Sequence, residues 1–314
     1  MLRFGICTRD EFLKLSKQRD SSGSAISYKL LEISDGATEK DMEMFECIQF
    51  RLRTSNGTFR TTFRNRFRDL DAAVTNLLRS TYRTDAHICV QDRAASHALT
   101  SFEWAEQLFQ AFPGAELEAS DSMLYFWAVS LAAGETYILE PSGKPLQWIK
   151  PPFVVSLCQR EPLRYPLNHF IAARAKRRFR RFRLESRLEN LCRAGRDGAN
   201  KICCVHPKAR SLASGNPRFR IVTRSIFEYT PGIDVLRTMN ILNKSYFSVN
   251  QISDGMEAAF RSLKPGGIWI VGRTLEHDLS NHATVFKKEE SAWKVLLRVG
   301  TGWELEELAS RVQR

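Results

Sequence analysis

The chain has 314 residues, 43% of them hydrophobic and 26% charged, enough apolar material for one large domain or a domain with a substantial appendage. The longest largely apolar stretch, Met123 to Ala133, is too short to cross a bilayer, and the opening residues, with Arg3, Arg9, Asp10 and Glu11 among them, lack the apolar core of a secretory signal. Seven scattered cysteines with no Cys-x-x-Cys pair argue for a reducing compartment, so a soluble cytoplasmic protein is the expectation.

The net charge of +12 is concentrated in two places. Residues 51 to 68 carry six arginines and no acid, and residues 172 to 196 carry ten Lys or Arg against Glu185 and Glu189. The rest of the chain is slightly acidic.

In chain order, Thr8-Arg9-Asp10-Glu11 has capping-box spacing and predicts a short helix. Ser21 to Ser24 reads as a loop, Asn56-Gly57 as a turn, and the spacing of Leu70, Val74 and Leu78 after Asp69 as a helix. At His87 the character changes. His87 to Asp92 is a short apolar strand, Thr100 is placed to cap a helix running to Phe112, Pro113-Gly114 stops it, and Ala115 to Ser120 is a second strand ending at Asp121. A hairpin of Tyr137 to Leu139 and Leu146 to Ile149 follows, then a long basic helix or helix pair over 163 to 196. Strands within Arg218 to Phe227 and at Ile233 to Leu236, a helix at Ile252 to Leu263, and strands at Ile268 to Gly272, Ala283 to Phe286 and Ala292 to Val299 complete the reading. Strands that alternate with helices predict a wound α/β sheet.

Three segments carry chemistry. The loop Asp92-Arg93-Ala94-Ala95-Ser96-His97-Ala98 follows the first strand with small residues at alternate positions. Asp121 ends the next strand, where a carboxylate suits two adjacent hydroxyl donors; capping a following helix near Met123 is the other reading. Leu263-Lys264-Pro265-Gly266-Gly267 ends a helix and turns the chain into a strand. In this order the segments resemble the class I S-adenosylmethionine-dependent methyltransferases. Ala94, Ser96 and Ala98 stand where that family has the glycines of acid-x-Gly-x-Gly-x-Gly, so the cofactor loop is a degenerate, glycine-free version. Ile233 to Asn243 is similar to the fourth strand of the chemotaxis-receptor methyltransferases.

The resemblance covers about residues 85 to 310 and implies a Rossmann-like seven-stranded methyltransferase sheet over 85–314. A small mixed or helical N-terminal cap over 1–84 and a basic helical insertion over 150–215 would complete the chain. It further implies S-adenosyl-L-methionine as cofactor, held by Asp92, Ala94, Ser96, Asp121, Ser122, Ser225 and Ile226. Asn240 would face the reacting centre, with Asn243 and Tyr246 behind it; a helix cap is an equal reading of Asn240.

Two functions stay open on the sequence. One is methyl transfer to a small-molecule or carboxylate-bearing acceptor, the carboxylate suggested by the chemotaxis-type strand. The other is a catalytically degenerate binding module for an anionic partner, nucleic acid or acidic protein, at Arg174 to Arg183, where Phe179 and Phe182 stand among arginines. The same composition suits an anionic membrane surface, and its bland reading is a solvated helix face. Nicotinamide chemistry is disfavoured because the first loop lacks Gly-x-Gly-x-x-Gly. Lys150-Pro151-Pro152-Phe153 reads as a connector, Cys203, Cys204 and His206 lack the second ligand pair of a zinc site, and His97, His169 and His206 are ordinary histidines before they are general bases.

Overall fold

The computed structural model describes residues 1–16, 25–33, 36–57, 60–131, 134–160, 162–194 and 198–310; the loop read at Ser21 to Ser24 lies outside them. In chain order the elements are α1 (Arg9–Ser16), α2 (Glu39–Arg51), α3 (Arg68–Thr81), β1 (Cys89–Arg93), α4 (Leu99–Ala111) and β2 (Glu116–Asp121). There follow β3 (Tyr125–Leu131), β4 (Glu135–Leu139), β5 (Pro145–Lys150), β6 (Phe153–Ser156), α5 (Pro166–Arg181), α6 (Leu184–Arg193) and β7 (Ala199–Cys203). The chain closes with α7 (Pro207–Gly215), β8 (Phe219–Thr223), β9 (Ile233–Met239), α8 (Val249–Ser262), β10 (Leu263–Thr274), β11 (Asn281–Lys288), β12 (Trp293–Val299) and α9 (Glu306–Ser310).

The chain divides into two units, one made of 1–61 and 123–207, the other of 62–122 and 208–314. The second unit is the wound α/β domain. Its seven strands run in the order β8-β2-β1-β9-β10-β11-β12. The first five are parallel, and β11 and β12 are added antiparallel at the β10 edge. Numbered within this sheet, the parallel strands follow the doubly wound order 3-2-1-4-5, whose reversal between β1 and β9 is where such folds open a ligand crevice at the carboxyl ends of the strands. Parallel strands covered on both faces are apolar almost throughout. β9 is accordingly buried along its whole length, and Leu236, Trp269, Val271 and Phe286 pack with Ile252, Met256 and Ala259 of α8.

The first unit differs from the expectation. Residues 1–61 do not stand alone as a cap, and the basic helices are not a bare helical insertion. Both belong to an α+β unit around a five-stranded antiparallel sheet, β6-β5-β4-β3-β7. One face of that sheet packs Phe126, Ile138 and Ile149 against Ile6, Phe12, Met44, Phe45 and Ile48 of the amino-terminal segment. The other packs Tyr137, Leu139 and Val155 against Ala172, Ala175, Phe179 and Leu188 of α5 and α6. The predicted hairpin exists as β4 and β5, but in this sheet and not in the wound one. Lys150-Pro151-Pro152-Phe153 is the tight turn that pairs β5 with β6. No helix of the described residues is long and apolar enough to cross a membrane.

Candidate ligand site at the carboxyl edge of the wound sheet

The site is built from the end of β1. Its residues alternate sides, so Asp92 and Arg93 leave on opposite faces. Asp92 lies beside Arg237 in the β1–β9 ladder. Both side chains are buried, and the guanidinium meets the carboxylate through Nε at 3.0 Å and Nη2 at 2.6 Å. Arg237 also pairs with Asp71 of α3 at 2.5 Å, and its cationic carbon sits 4.3 Å from the Trp104 ring centre. Ser101 of α4 donates to Asp92 at 2.6 Å. Two carboxylates outweigh burial and raise the Arg237 pKa further above its ordinary range. Burial pushes Asp71 the other way for an acid, up to about 7, despite the pull of Arg237.

Arg93 crosses to the α8 side. It donates to Gln91 at 2.7 Å, to Ser262 at 2.8 Å and to the Ile226 carbonyl at 3.2 Å, tying the loop after β8 to β1. Burial lowers its pKa to about 10. The polar chain continues through Gln91 to Glu118, which receives Arg224 at 2.6 Å.

The loop beyond Arg93 has an unusual backbone. Ala94, Ser96 and Ala98 all take left-handed conformations, with φ of 58°, 57° and 62°. Such angles are routine for glycine and cost other residues about 1–2 kcal/mol each. The loop is held there by Ala95 N–H donating to the Ser120 carbonyl at 3.0 Å and Ser96 N–H donating to the Asp121 carboxylate at 2.8 Å. The Asp121 carboxylate from β2 thus accepts one backbone N–H of the loop. Leu99 then opens α4 directly, so Thr100 lies inside the helix and the cap position is Ala98.

Each expected site residue now has a place. Asp92 is committed to Arg237 and Ser101, so it anchors the loop from inside the core. Ala94 and Ser96 are partly exposed on the loop, and Asp121, at the end of β2, touches it. Ser122 is exposed beside Asp121, and no helix follows; β3 starts at Tyr125, which removes the capping reading of Asp121. Ser225 and Ile226 lie in the loop after β8, where the Ser225 amide is taken up by Glu228 at 2.8 Å and Ile226 packs against the α8 core. Asn240 follows β9 with φ of 61°, accepting the Thr274 N–H at 2.6 Å. It therefore clamps the end of β10 and caps no helix, since α8 is capped by Ser248. Tyr246 is partly buried in the loop between Asn240 and Ser248.

Sequence reasoning passed over Arg237, Asp71 and Ser101. The available signal was an arginine directly after Val235 and Leu236 of a predicted strand, a residue type that is almost never fully buried unless paired. Of the histidines, His97 is buried in the loop, while in the other unit His206 bonds Glu46 at 3.1 Å.

No protein-family model matches the sequence, and neither does any curated protein. Among solved structures, a candidate O-methyltransferase of Nostoc punctiforme is 14% identical over 65% of this chain and 36% of its own, with a TM-score of 0.30. An O-methyltransferase family protein of Burkholderia thailandensis is 13% identical over 78% of this chain and 45% of its own, also at 0.30. A candidate S-adenosylmethionine-dependent methyltransferase of Methanococcus maripaludis is 12% identical over 77% and 67%, again at 0.30. The chain thus spans between about one third and two thirds of these neighbours' own lengths.

Proposed function

We propose that the wound domain binds S-adenosylmethionine and transfers its methyl group to a small-molecule acceptor. One observation carries the reading: three alternate residues after β1, none of them glycine, take the backbone conformation that glycine takes freely. Strain of that kind persists where the surrounding structure enforces it, and it gathers at ligand sites. Here it lies at the switch point between β1 and β9, the crevice position of doubly wound sheets.

The residues present fit the cofactor. Ala94 and Ser96 bring backbone with little side chain to the crevice. One Asp121 oxygen receives Ser96 N–H, and a carboxylate has further lone pairs for ribose hydroxyls. Ser122 follows Asp121 in the chain, Ser225 and Ile226 follow β8, whose Thr223 pairs with Asp121, and all three are assigned to the adenine side. Asp92, paired with Arg237, is assigned to fixing the loop. A bound sulfonium supplies an already activated methyl group, so the chain's own task is to hold the acceptor in line with it and exclude water. Asn240, through the Thr274 clamp, and Tyr246 are assigned to the acceptor side; a carboxylate on the acceptor is the finer form of this reading.

Calorimetric titration of the full chain with S-adenosylmethionine and its demethylated product tests the proposal. Binding of both is expected, with a loss of about tenfold or more for Asp121→Ala if two charge-assisted hydroxyl contacts disappear. No heat from either ligand would sink it.

A further inference from the structure

The basic helix pair is left unused by this chemistry, and its surface has a definite pattern. α5 buries Asn168, Ala172, Ala175 and Phe179, with Tyr137 donating to the Ala175 carbonyl at 3.1 Å. The opposite face carries Leu167, Phe170, Arg174, Arg177 and Arg181 in one line at spacings of three and four. Leu167 is 53% exposed and Phe170 69%, and Leu163, in the turn before the helix, is 91% exposed. The Asn168 side chain receives Arg3 N–H at 2.8 Å and donates to the Arg3 carbonyl at 2.9 Å, bringing the amino-terminal segment alongside. That segment adds Phe4, 57% exposed, and Met1. Three of the ten exposed large apolar side chains among the described residues therefore sit at the start of α5, and two more flank Arg3, whose backbone bonds Asn168.

Positive charges dominate the stretch between Glu161 and Glu185. Residues 162 to 184 include eight Lys or Arg and no acid. Arg178 turns inward to Glu135 at 3.1 Å, but Arg174, Arg177, Arg180 and Arg181 are exposed and make no ion pair among the described residues.

We infer that this face docks on an anionic lipid surface, with Leu163, Leu167 and Phe170 entering the headgroup boundary and Arg174, Arg177, Arg180 and Arg181 meeting lipid phosphates and carboxylates. Charge complementarity selects an anionic partner. The protruding apolar side chains select a bilayer over a polyanion in water, because a phosphate backbone offers nothing apolar to a leucine at 91% exposure. Neither class of contact suffices for stable attachment alone, and the face supplies both.

The test uses the full chain and sedimentation with vesicles of phosphatidylcholine, with and without about one third phosphatidylserine, at physiological salt. Binding is expected only with phosphatidylserine and should weaken as salt rises. Each arginine near such a surface is worth about fivefold in affinity, so R174E/R177E/R181E should lose about a hundredfold or more. L167S/F170S, which keeps every charge, should lose at least about tenfold. Both variants alter exposed side chains only, and circular dichroism verifies that they fold. Failure to bind phosphatidylserine vesicles overturns the inference. So does full binding by L167S/F170S, or tighter binding to a single-stranded oligonucleotide than to the vesicles, which would make nucleic acid the partner.

Discussion

Ala94 and Ala98 hold the same left-handed backbone but differ in burial, and that difference makes the loop testable. Glycine at Ala94 relieves about 1–2 kcal/mol of local strain and returns about 0.5–1 kcal/mol through the greater freedom of the unfolded chain. Ala94→Gly should therefore stabilise by roughly 0.5–1 kcal/mol in urea denaturation. Ala98→Gly should come out near neutral, because its buried methyl contributes about 0.8 kcal/mol. A destabilising Ala94→Gly would show that the loop is not left-handed there. Beneath the loop, Arg237 is charged between two buried carboxylates. Removing it in Arg237→Met strands both and should cost about 3–5 kcal/mol. Asp71 adds a pH signature. Its carboxyl pKa rises from 3.8 to about 7 on folding, first through burial. The native state then holds a proton that the unfolded chain has released, so this group's contribution to stability falls as pH rises through that window. Asp71→Asn should flatten that part of the profile; an unchanged slope would remove Asp71 as its source.

At the level of elements, the wound sheet was legible, and of the antiparallel sheet only the hairpin of β4 and β5 was. β1, β8, β9 and β10 each have a short apolar run, Ala115, Leu117 and Ala119 alternate with polar residues into and along β2, and α3, α4 and α8 show helical spacing, so local pattern located them within a few residues. The acid at Asp121 and the small residues at 94, 96 and 98 drew attention for the same local reason to a loop and a carboxylate that the structure brings together. β3, β6 and β7 escaped because their sheet is covered on both faces, by the amino-terminal segment on one and by α5 and α6 on the other. Strands so covered need not alternate, and β7 in addition has its partner, β3, far along the chain. The glycines of β10 sort by the same physics. Gly266 has φ of 78° with only the Lys287 side chain near, so Gly266→Ala should cost about 1–2 kcal/mol through backbone conformation. A Cβ on Gly272 would stand 2.1 Å from the His282 carbonyl oxygen and 2.5 Å from the Ala283 Cα. Those are backbone atoms of the paired strand β11, so Gly272→Ala should cost about 3 kcal/mol, at the upper end for overpacking. Equal urea midpoints for the two variants would contradict the β10–β11 register.

Across the whole molecule the charge belongs to one unit. The unit of 1–61 and 123–207 has 25 Lys or Arg against 15 Asp or Glu, whereas the wound unit has 22 against 20. The two basic runs, alike in sequence, also separate by burial: Arg60 is buried and Arg64 and Arg66 are partly buried, while most arginines of α5 face solvent. The basic face of α5 and the loop after β1 thus fall in different units, each with its own core. A substitution in one core tests that separation. Phe45 is fully buried in the amino-terminal side of the five-stranded unit, and Phe45→Ala should destabilise it by about 3–5 kcal/mol. Hydrogen exchange should then quicken across β3 to β7 and α2, because local opening follows the stability of the unit that opens. β1, β9 and β10, packed on α4 and α8, should keep their protection. S-adenosylmethionine titration of the variant, below its unfolding temperature, should match the parent. Uniform acceleration over both sheets would mean that the two units unfold as one.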